Sequence, residues 1–236
     1  MYAAGAEADV RPPFLALVIS GGHTLLVDIQ DTLRYTVVGR TRDDAAGEAF
    51  DKGAKILGLG YPGGQALQEL ARGGNAAAIA FPRAMLHDES WDFSFSGLKT
   101  ALVYFRRDHP DATTADIAAS YQEAIVDVLV RKTLRAAAQF RRATVVLGGG
   151  VTANARLRER FLSDAAAHGV RAVLPSFALC TDNARMIAYR AVQVYTARGA
   201  SPLDADIFPA FVSPTTAPNW HRQCLLYHDG GCNRRG

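Results

Sequence analysis

The sequence predicts an α/β domain, and three observations predict it. Short apolar runs near the start are joined by tight turns, the middle of the chain has apolar residues at helical spacing, and the last third alternates strand, helix, strand, helix.

Each element can be justified in order. Residues 1–13 are small, polar and proline-ended, and read as a ragged N-terminal segment. Phe14 to Ser20 is a continuous apolar run, the pattern of a buried strand. His23 to Ile29 and Arg34 to Gly39 read as second and third strands of a meander. From Asp43 to Gly58 the spacing becomes helical, with Ala45, Ala46, Ala49, Phe50, Ala54 and Leu57 on one face and acidic residues at the start. Tyr61-Pro-Gly-Gly64 is a turn, and 65–72 fits a short helix. The pattern weakens from Gly73 to Asp92, then a helix is expected to run on to about Phe105. Residues 114–140 form the clearest helix, with Ile117, Tyr121, Ala124, Ile125, Val128, Leu129 and Lys132 at helical intervals. Ala143 to Leu147 and Val170 to Leu174 read as strands, the first leading through Gly148-Gly-Gly150 into a helix near Thr152 or Asn154. Thr181 or Asp182 is the expected cap of a last helix, Asn183 to Arg198. This order matches one lobe of the actin, Hsp70 and sugar-kinase class, the ribonuclease H-like fold, an analogy that says little about chemistry. The organisation expected is a domain over 14–208 and an atypical tail over 209–236.

Composition excludes several classes. The chain has 236 residues, 49% hydrophobic and 21% charged, enough for an ordinary core. A net charge of +3 with dispersed arginines gives no concentrated nucleic-acid patch; the densest runs are Arg141-Arg142 and Arg156/Arg158/Arg160. Three cysteines, Cys180, Cys224 and Cys232, fit a reducing compartment. With no signal-like or membrane-length apolar run, the reading is cytoplasmic, with no membrane partner. His221, Cys224, His228 and Cys232 have zinc-like spacing, but lie in a Pro-, Asn- and Gly-rich tail with nothing to anchor a finger.

Six motifs carry possible chemistry. Val18-Ile-Ser-Gly-Gly-His-Thr24 is either a hairpin turn or a place where backbone N–H groups meet an anion, with Ser20 and Thr24 adding hydroxyls. His23 fits a core position equally well. In Asp43-Asp-Ala-Ala-Gly-Glu-Ala-Phe-Asp-Lys52, Glu48 and Asp51 share a helix face and can bind ligand hydroxyls, or simply be solvated. Gly47 is costly inside a helix, so close packing or ligand approach must offset it. Tyr61-Pro-Gly-Gly64 is explained by a turn, with an amide near a ligand as an added role. Phe93-Ser-Phe-Ser-Gly-Leu-Lys99 puts rings on one side and hydroxyls on the other, with Lys99 able to meet a phosphate or be solvated. Leu147-Gly-Gly-Gly-Val-Thr-Ala-Asn154 is a strand, a glycine turn and a helix N-terminus, as at nucleotide sites, without a Walker lysine or Rossmann spacing. In Cys180-Thr-Asp-Asn183, Asp182 is a cap or a metal-ligating carboxylate.

Together and in this order, over about residues 14–208, the motifs resemble the tRNA N6-adenosine threonylcarbamoyltransferase family (TsaD), formerly called the glycoprotease or sialoglycoprotein endopeptidase family. The resemblance implies a two-lobed actin-like fold and transfer of a threonylcarbamoyl group from threonylcarbamoyl-adenylate to N6 of the tRNA adenosine just 3′ of the anticodon. It implies that Val18, Ile19, Ser20, Gly21, Gly22, Asp51, Gly64 and Asn154 bind the adenylate, and that Asp182 ligates one divalent metal, iron or zinc. It also implies a paralogous partner subunit and a small ATPase as partners, beside tRNA. The family's two metal-ligating histidines, in a His-x-x-x-His motif, would precede the segment matching Met1-Tyr-Ala-Ala4, with the first lobe; neither is in this sequence. Impaired activity is therefore expected, and residues from about Ala210 do not resemble the family's ending. A non-catalytic nucleotide-binding remnant, and a kinase or ATPase of the same fold, are the alternatives. A metalloprotease is disfavoured, because no His-Glu-x-x-His occurs.

Overall fold

A computed structural model describes residues 8–201. The zinc-like quartet, the tail from 209 and the end of the expected 14–208 domain lie outside the described residues. The elements are β1 (Phe14–Ile19), β2 (Thr24–Ile29), β3 (Tyr35–Arg40), α1 (Ala46–Ile56), α2 (Gly63–Ala71), α3 (Ser96–Asp108), α4 (Thr114–Gln139), β4 (Thr144–Gly148), α5 (Ala155–Ala167), β5 (Arg171–Val173) and α6 (Ala184–Arg198). Short 3₁₀ turns cover Gly150–Ala153 and Phe177–Leu179.

The five strands form one mixed sheet in the order β3-β2-β1-β4-β5. The meander pairs antiparallel, and β4 pairs parallel with both β1 and β5. This is the sheet of a ribonuclease H-like lobe, as in the actin and sugar-kinase class. Strand periodicity sorts the side chains: Leu15, Leu17 and Ile19 enter the main core with α1, α4 and α5, while Phe14 and Ala16 join Val27, Ile29, Val146 and Val173 on the other face. The expected apolar face of α1 (Ala45, Ala46, Ala49, Phe50, Ala54, Leu57) is buried throughout.

α4 is buried far beyond its apolar stripe, including Ser120, Gln122, Glu123 and Thr133. It lies in the middle of the domain, so its polar side chains need protein partners. Lys132, on the predicted apolar stripe, is itself fully buried. Its ammonium donates to the Met85 carbonyl at 2.8 Å and to the Asp92 carbonyl, and sits 5.6 Å from the Phe93 ring centre. Arg135 donates to the Leu86 and Asp88 carbonyls and stacks over Trp91 at 4.9 Å. These two cations strap the irregular 81–92 segment onto α4. They satisfy backbone carbonyls that a segment without a ladder would otherwise leave bare.

α6 differs from the other helices in burying no side chain, and leaves Ile187, Val192 and Tyr195 exposed. Its cap is Asn183, whose side chain accepts from Met186 N–H at 3.0 Å, rather than Thr181 or Asp182. No helix among the described residues is long and apolar enough to cross a membrane.

Burial, reinforced by the nearby Arg135 charge, pulls the Lys132 ammonium down to about 8. Below that pH both folded and unfolded chains hold the proton, and the full cost of burying the charge opposes folding. Between about 8 and the ordinary lysine value near 10.4, the folded chain releases the proton and the unfolded chain keeps it, so stability rises with pH. Urea unfolding of the wild type and of Lys132→Met from pH 7 to 10 should show the wild type gaining on the variant as pH rises. At pH 7 the variant should lose about 1–3 kcal/mol, because two carbonyls are left unpaired. A gap that stays constant across this range would contradict the assignment.

Candidate functional site

Two glycine turns are brought together by contacts that only glycine permits. Gly149, at the end of β4, has φ +97°, and a Cβ there would lie 2.2 Å from the Ile19 carbonyl oxygen. The turn after β4 thus rests directly on the turn after β1. Gly47 in α1 does the same from the other side: a Cβ would lie 2.6 Å from the Ser20 carbonyl oxygen and 2.8 Å from Gly21 Cα. Its N–H donates to that Ser20 carbonyl at 3.2 Å. Close packing is what offsets the helical cost of Gly47.

The β1–β2 connection is a true hairpin, and it also faces a cleft. Ser20 N–H donates to the His23 carbonyl at 2.8 Å, and Ser20 Oγ accepts from His23 N–H at 3.1 Å. His23 is exposed, not a core residue. Thr24 is fully buried and its hydroxyl accepts from Ala46 N–H at 2.9 Å, so it satisfies the first amide of α1 and is not a ligand hydroxyl.

The cleft has a volume of about 650 Å³, and Gly21, Asp51, Gly64, Gly150, Val151 and Asn154 are among the residues lining it. It continues into a second lobe of about 380 Å³ that shares Gly21 and Asp51 and adds Glu48, Lys52 and Lys55. Four of the eight expected ligand residues, Gly21, Asp51, Gly64 and Asn154, therefore meet in one cavity. Of the other four, Ile19 sends its side chain into the core, Val18 is half-buried in the ladder, and Ser20 and Gly22 complete the turn.

The polarity of the lining is well defined. Among the described residues, the N–H groups of Gly21, Gly22, Gly150 and Val151 have no partner. Asp51 Oδ1 accepts from Gly64 N–H at 3.1 Å, leaving Oδ2 to accept from a ligand. Asn154 caps α5 by accepting from Leu157 N–H at 2.9 Å. Its amide nitrogen donates to Gln122 Oε1 at 2.8 Å, while Gln68 Oε1 takes the Ala155 N–H at 2.6 Å. The α5 N-terminus is therefore already capped by protein, and the open N–H groups belong to the glycine turns. The two glutamines were not singled out in the sequence. Their only signal is a polar residue one turn from an apolar stripe, which many solvated positions share.

The Phe93–Lys99 motif has a structural task. Phe93 and Phe95 stack in the core with ring centres 6.4 Å apart. The backbone N–H groups of Phe95 and Ser96 donate to Asp43 Oδ1 at 2.8 and 3.2 Å, and the hydroxyls of Ser94 and Ser96 donate to Oδ2. A carboxylate of the chain thus takes the hydroxyls and amides of this motif. Burial works against the Asp43 charge, yet these hydrogen bonds hold its carboxyl below the usual value.

Four of the five arginines in the densest runs are also spent internally. Glu123 of α4 receives Arg156 at 2.7 and 3.1 Å and Arg160 at 2.6 Å. Burial pushes the Glu123 carboxyl up, but the two guanidinium groups hold it below its ordinary value. Arg142 forms a bidentate pair with buried Asp28 at 2.6 and 2.9 Å. Arg158 donates to the Thr152 and Pro175 carbonyls.

Asp182 is exposed and follows Thr181, which lines the cleft. Among the described residues no three His, Cys, Asp or Glu side chains cluster as a metal site requires. One carboxylate at the cleft edge does not make a metal centre, so no chemistry is assigned to a metal.

Comparisons with known proteins bear on this arrangement. A family model described as tRNA N6-adenosine threonylcarbamoyltransferase matches residues 1–189. Curated proteins of that name are similar to the chain. One from Clostridium botulinum (strain 657 / Type Ba4) is 44% identical, covering 85% of this chain and 60% of its own length. One from Magnetococcus marinus is 51% identical (78% and 54%), and one from Thermotoga neapolitana 46% identical (78% and 56%). The chain thus spans little more than half the length of these relatives. Among solved structures, full-length HypF in its phosphate- and nucleotide-bound form superposes with TM-score 0.70 at 13% identity, covering 85% of this chain and 42% of its own. T. kodakarensis HypF superposes with TM-score 0.60 at 12% identity, covering 82% and 36%. At such identities the likeness is one of fold.

The glycines of the cleft are expected to separate by substitution. Gly47→Ala should destabilise the fold by about 1–3 kcal/mol, because its Cβ has nowhere to go. Gly64→Ala meets only Phe50 Cβ at 3.6 Å, an ordinary contact, so it should leave stability within about 0.5 kcal/mol. Thermal unfolding of the two variants checks this; equal losses would contradict the packing described for Gly47.

Proposed function

This chain belongs to the tRNA N6-adenosine threonylcarbamoyltransferase family, and we propose that its cleft holds threonylcarbamoyl-adenylate for transfer of the acyl group to N6 of the tRNA adenosine 3′ of the anticodon. The observation that carries this reading is the convergence of unpartnered N–H groups on two glycine turns with the free oxygen of Asp51 in one cavity. Backbone N–H groups suit phosphate oxygens, and a carboxylate oxygen suits sugar hydroxyls. The phosphate- and nucleotide-bound state of the similarly folded HypF is compatible with such a ligand.

In the transfer, adenine N6 attacks the carbamoyl carbon. The N–C bond forms, the mixed-anhydride C–O bond breaks, and AMP leaves with the electron pair. The N6 lone pair is delocalised into the ring, so the barrier must be lowered by placement of the reactants and by stabilising charge on the departing phosphate. Gly21, Gly150 and Val151 supply donors for that charge, Asp51 holds the sugar, and Asn154 gives a further N–H. The proton lost from N6 passes to solvent as AMP departs. tRNA is the acceptor in this step; iron or zinc at Asp182, a paralogous subunit, a small ATPase and a cytoplasmic setting belong to the same proposal as family expectations, and no step above depends on them.

Asp51→Ala removes the sugar acceptor and frees the Gly64 amide. AMP binding, followed by isothermal titration calorimetry, should weaken about ten- to hundred-fold, the loss of one or two charge-assisted hydrogen bonds. Unchanged affinity in a folded variant would remove Asp51 from the site.

A further inference from the structure

The hydrogen bonds of Asn154 fix which way its amide faces. Leu157 N–H is a donor and can only meet the oxygen, so the carbonyl end of Asn154 points along α5. The amide nitrogen then lies 2.8 Å from a side-chain atom of Gln122, and two NH₂ groups cannot face each other, so Gln122 presents its oxygen. Both residues are buried, with 9% and 7% of their surface exposed, so water does not substitute freely for either bond. Gln122 is absent from the cleft lining and faces a separate cavity, of about 440 Å³, on the far side of Gln68 and Ala155. Its neighbour Glu123 holds Arg156, so α4 and the start of α5 are fixed to each other at this level.

One of the two Asn154 amide hydrogens is therefore committed to Gln122 and its oxygen to the helix cap. What remains is the second N–H, beside one lone pair of the oxygen that caps α5. We propose that Gln122 is a positioning residue that holds the Asn154 amide with its second N–H free to donate to an acceptor atom of a nucleotide in the cleft. This rests on the adenylate reading of the cleft given above. Without Gln122 the amide loses the partner that holds its plane, and the N–H no longer has a fixed direction.

The test uses the full chain with AMP as probe, followed by calorimetry and by ¹⁵N–¹H spectra of the Asn154 side-chain amide. The wild type should show one Asn154 amide proton protected from exchange with solvent, the one bonded to Gln122. Gln122→Leu should lose that protection and weaken AMP binding about ten-fold, the effect of one oriented hydrogen bond. Gln122→Glu keeps an acceptor in place and should restore affinity to within about three-fold. Asn154→Asp keeps the helix cap but has no N–H; it should weaken binding comparably, and adding Gln122→Leu to it should cost little more. Affinity in Gln122→Leu equal to that of the wild type would overturn the positioning role and leave the adenylate reading standing. So would rapid solvent exchange of both Asn154 amide protons in the wild type, a result that does not depend on any variant folding. No AMP binding by the wild type would instead overturn the adenylate reading, and this inference with it.

Discussion

Everything at the cleft depends on three stretches of backbone meeting where no side chain fits. Ile19 and Ser20 end the first strand, Gly149 presses on one carbonyl and Gly47 on the next. A methyl group at either glycine would overlap a peptide oxygen, which can move only if a sheet or helix moves with it. The payoff is geometric. Two turns that each carry unsatisfied N–H groups are held side by side, and a helix bearing Asp51 is held against both. Preorganised backbone donors of this kind need no rearrangement when an anion arrives.

Charge is handled by the same economy. A mildly basic chain could spread its arginines over the surface, but Arg142, Arg156 and Arg160 are paired with Asp28 and Glu123, and Arg135 and Lys132 serve backbone carbonyls of the 81–92 segment. Breaking such pairs leaves a poorly solvated charge, which is costlier than the pair is beneficial. These groups therefore tie elements of the domain together, α4 above all, and are not free to meet a polyanion. Among the described residues, the lysines lining the cleft are Lys52 and Lys55, and Lys52 is bound to Asp44 and Glu48 at 2.7 and 2.9 Å.

Much of this was legible in the sequence because periodicity reports burial. The meander, the apolar face of α1 and the ring-and-hydroxyl alternation at 93–96 follow from side-chain direction along a strand or helix. The cost of Gly47 also signalled a close approach. Which partner each polar group takes was not legible, because that depends on residues distant in the chain. Thr24 caps a helix 22 positions away, and Asp43 receives amides more than 50 positions away. Asn183 took the cap expected of Thr181 or Asp182, a choice among adjacent good capping residues that local propensity does not settle. Gln122 was hidden for a related reason. On a helix buried on several sides, a polar residue off the apolar stripe looks solvated until its partner is known.

The helix α1 links the two halves of the cleft's chemistry. Gly47 and Asp51 are four residues apart, so they share a face and are separated by about 6 Å along the axis. Gly47 fixes the glycine turn and Asp51 carries the acceptor, so the distance between N–H donors and carboxylate is set by one turn of a rigid element and not by a loop. A ligand that satisfies both must present an anionic group and a hydroxyl about one sugar apart, with an acceptor for Asn154 at the remaining side. Inorganic phosphate fails the second demand and a free sugar the first. A nucleoside monophosphate ester meets all three, and its phosphate lies at the end where the acyl group of an adenylate would be attached.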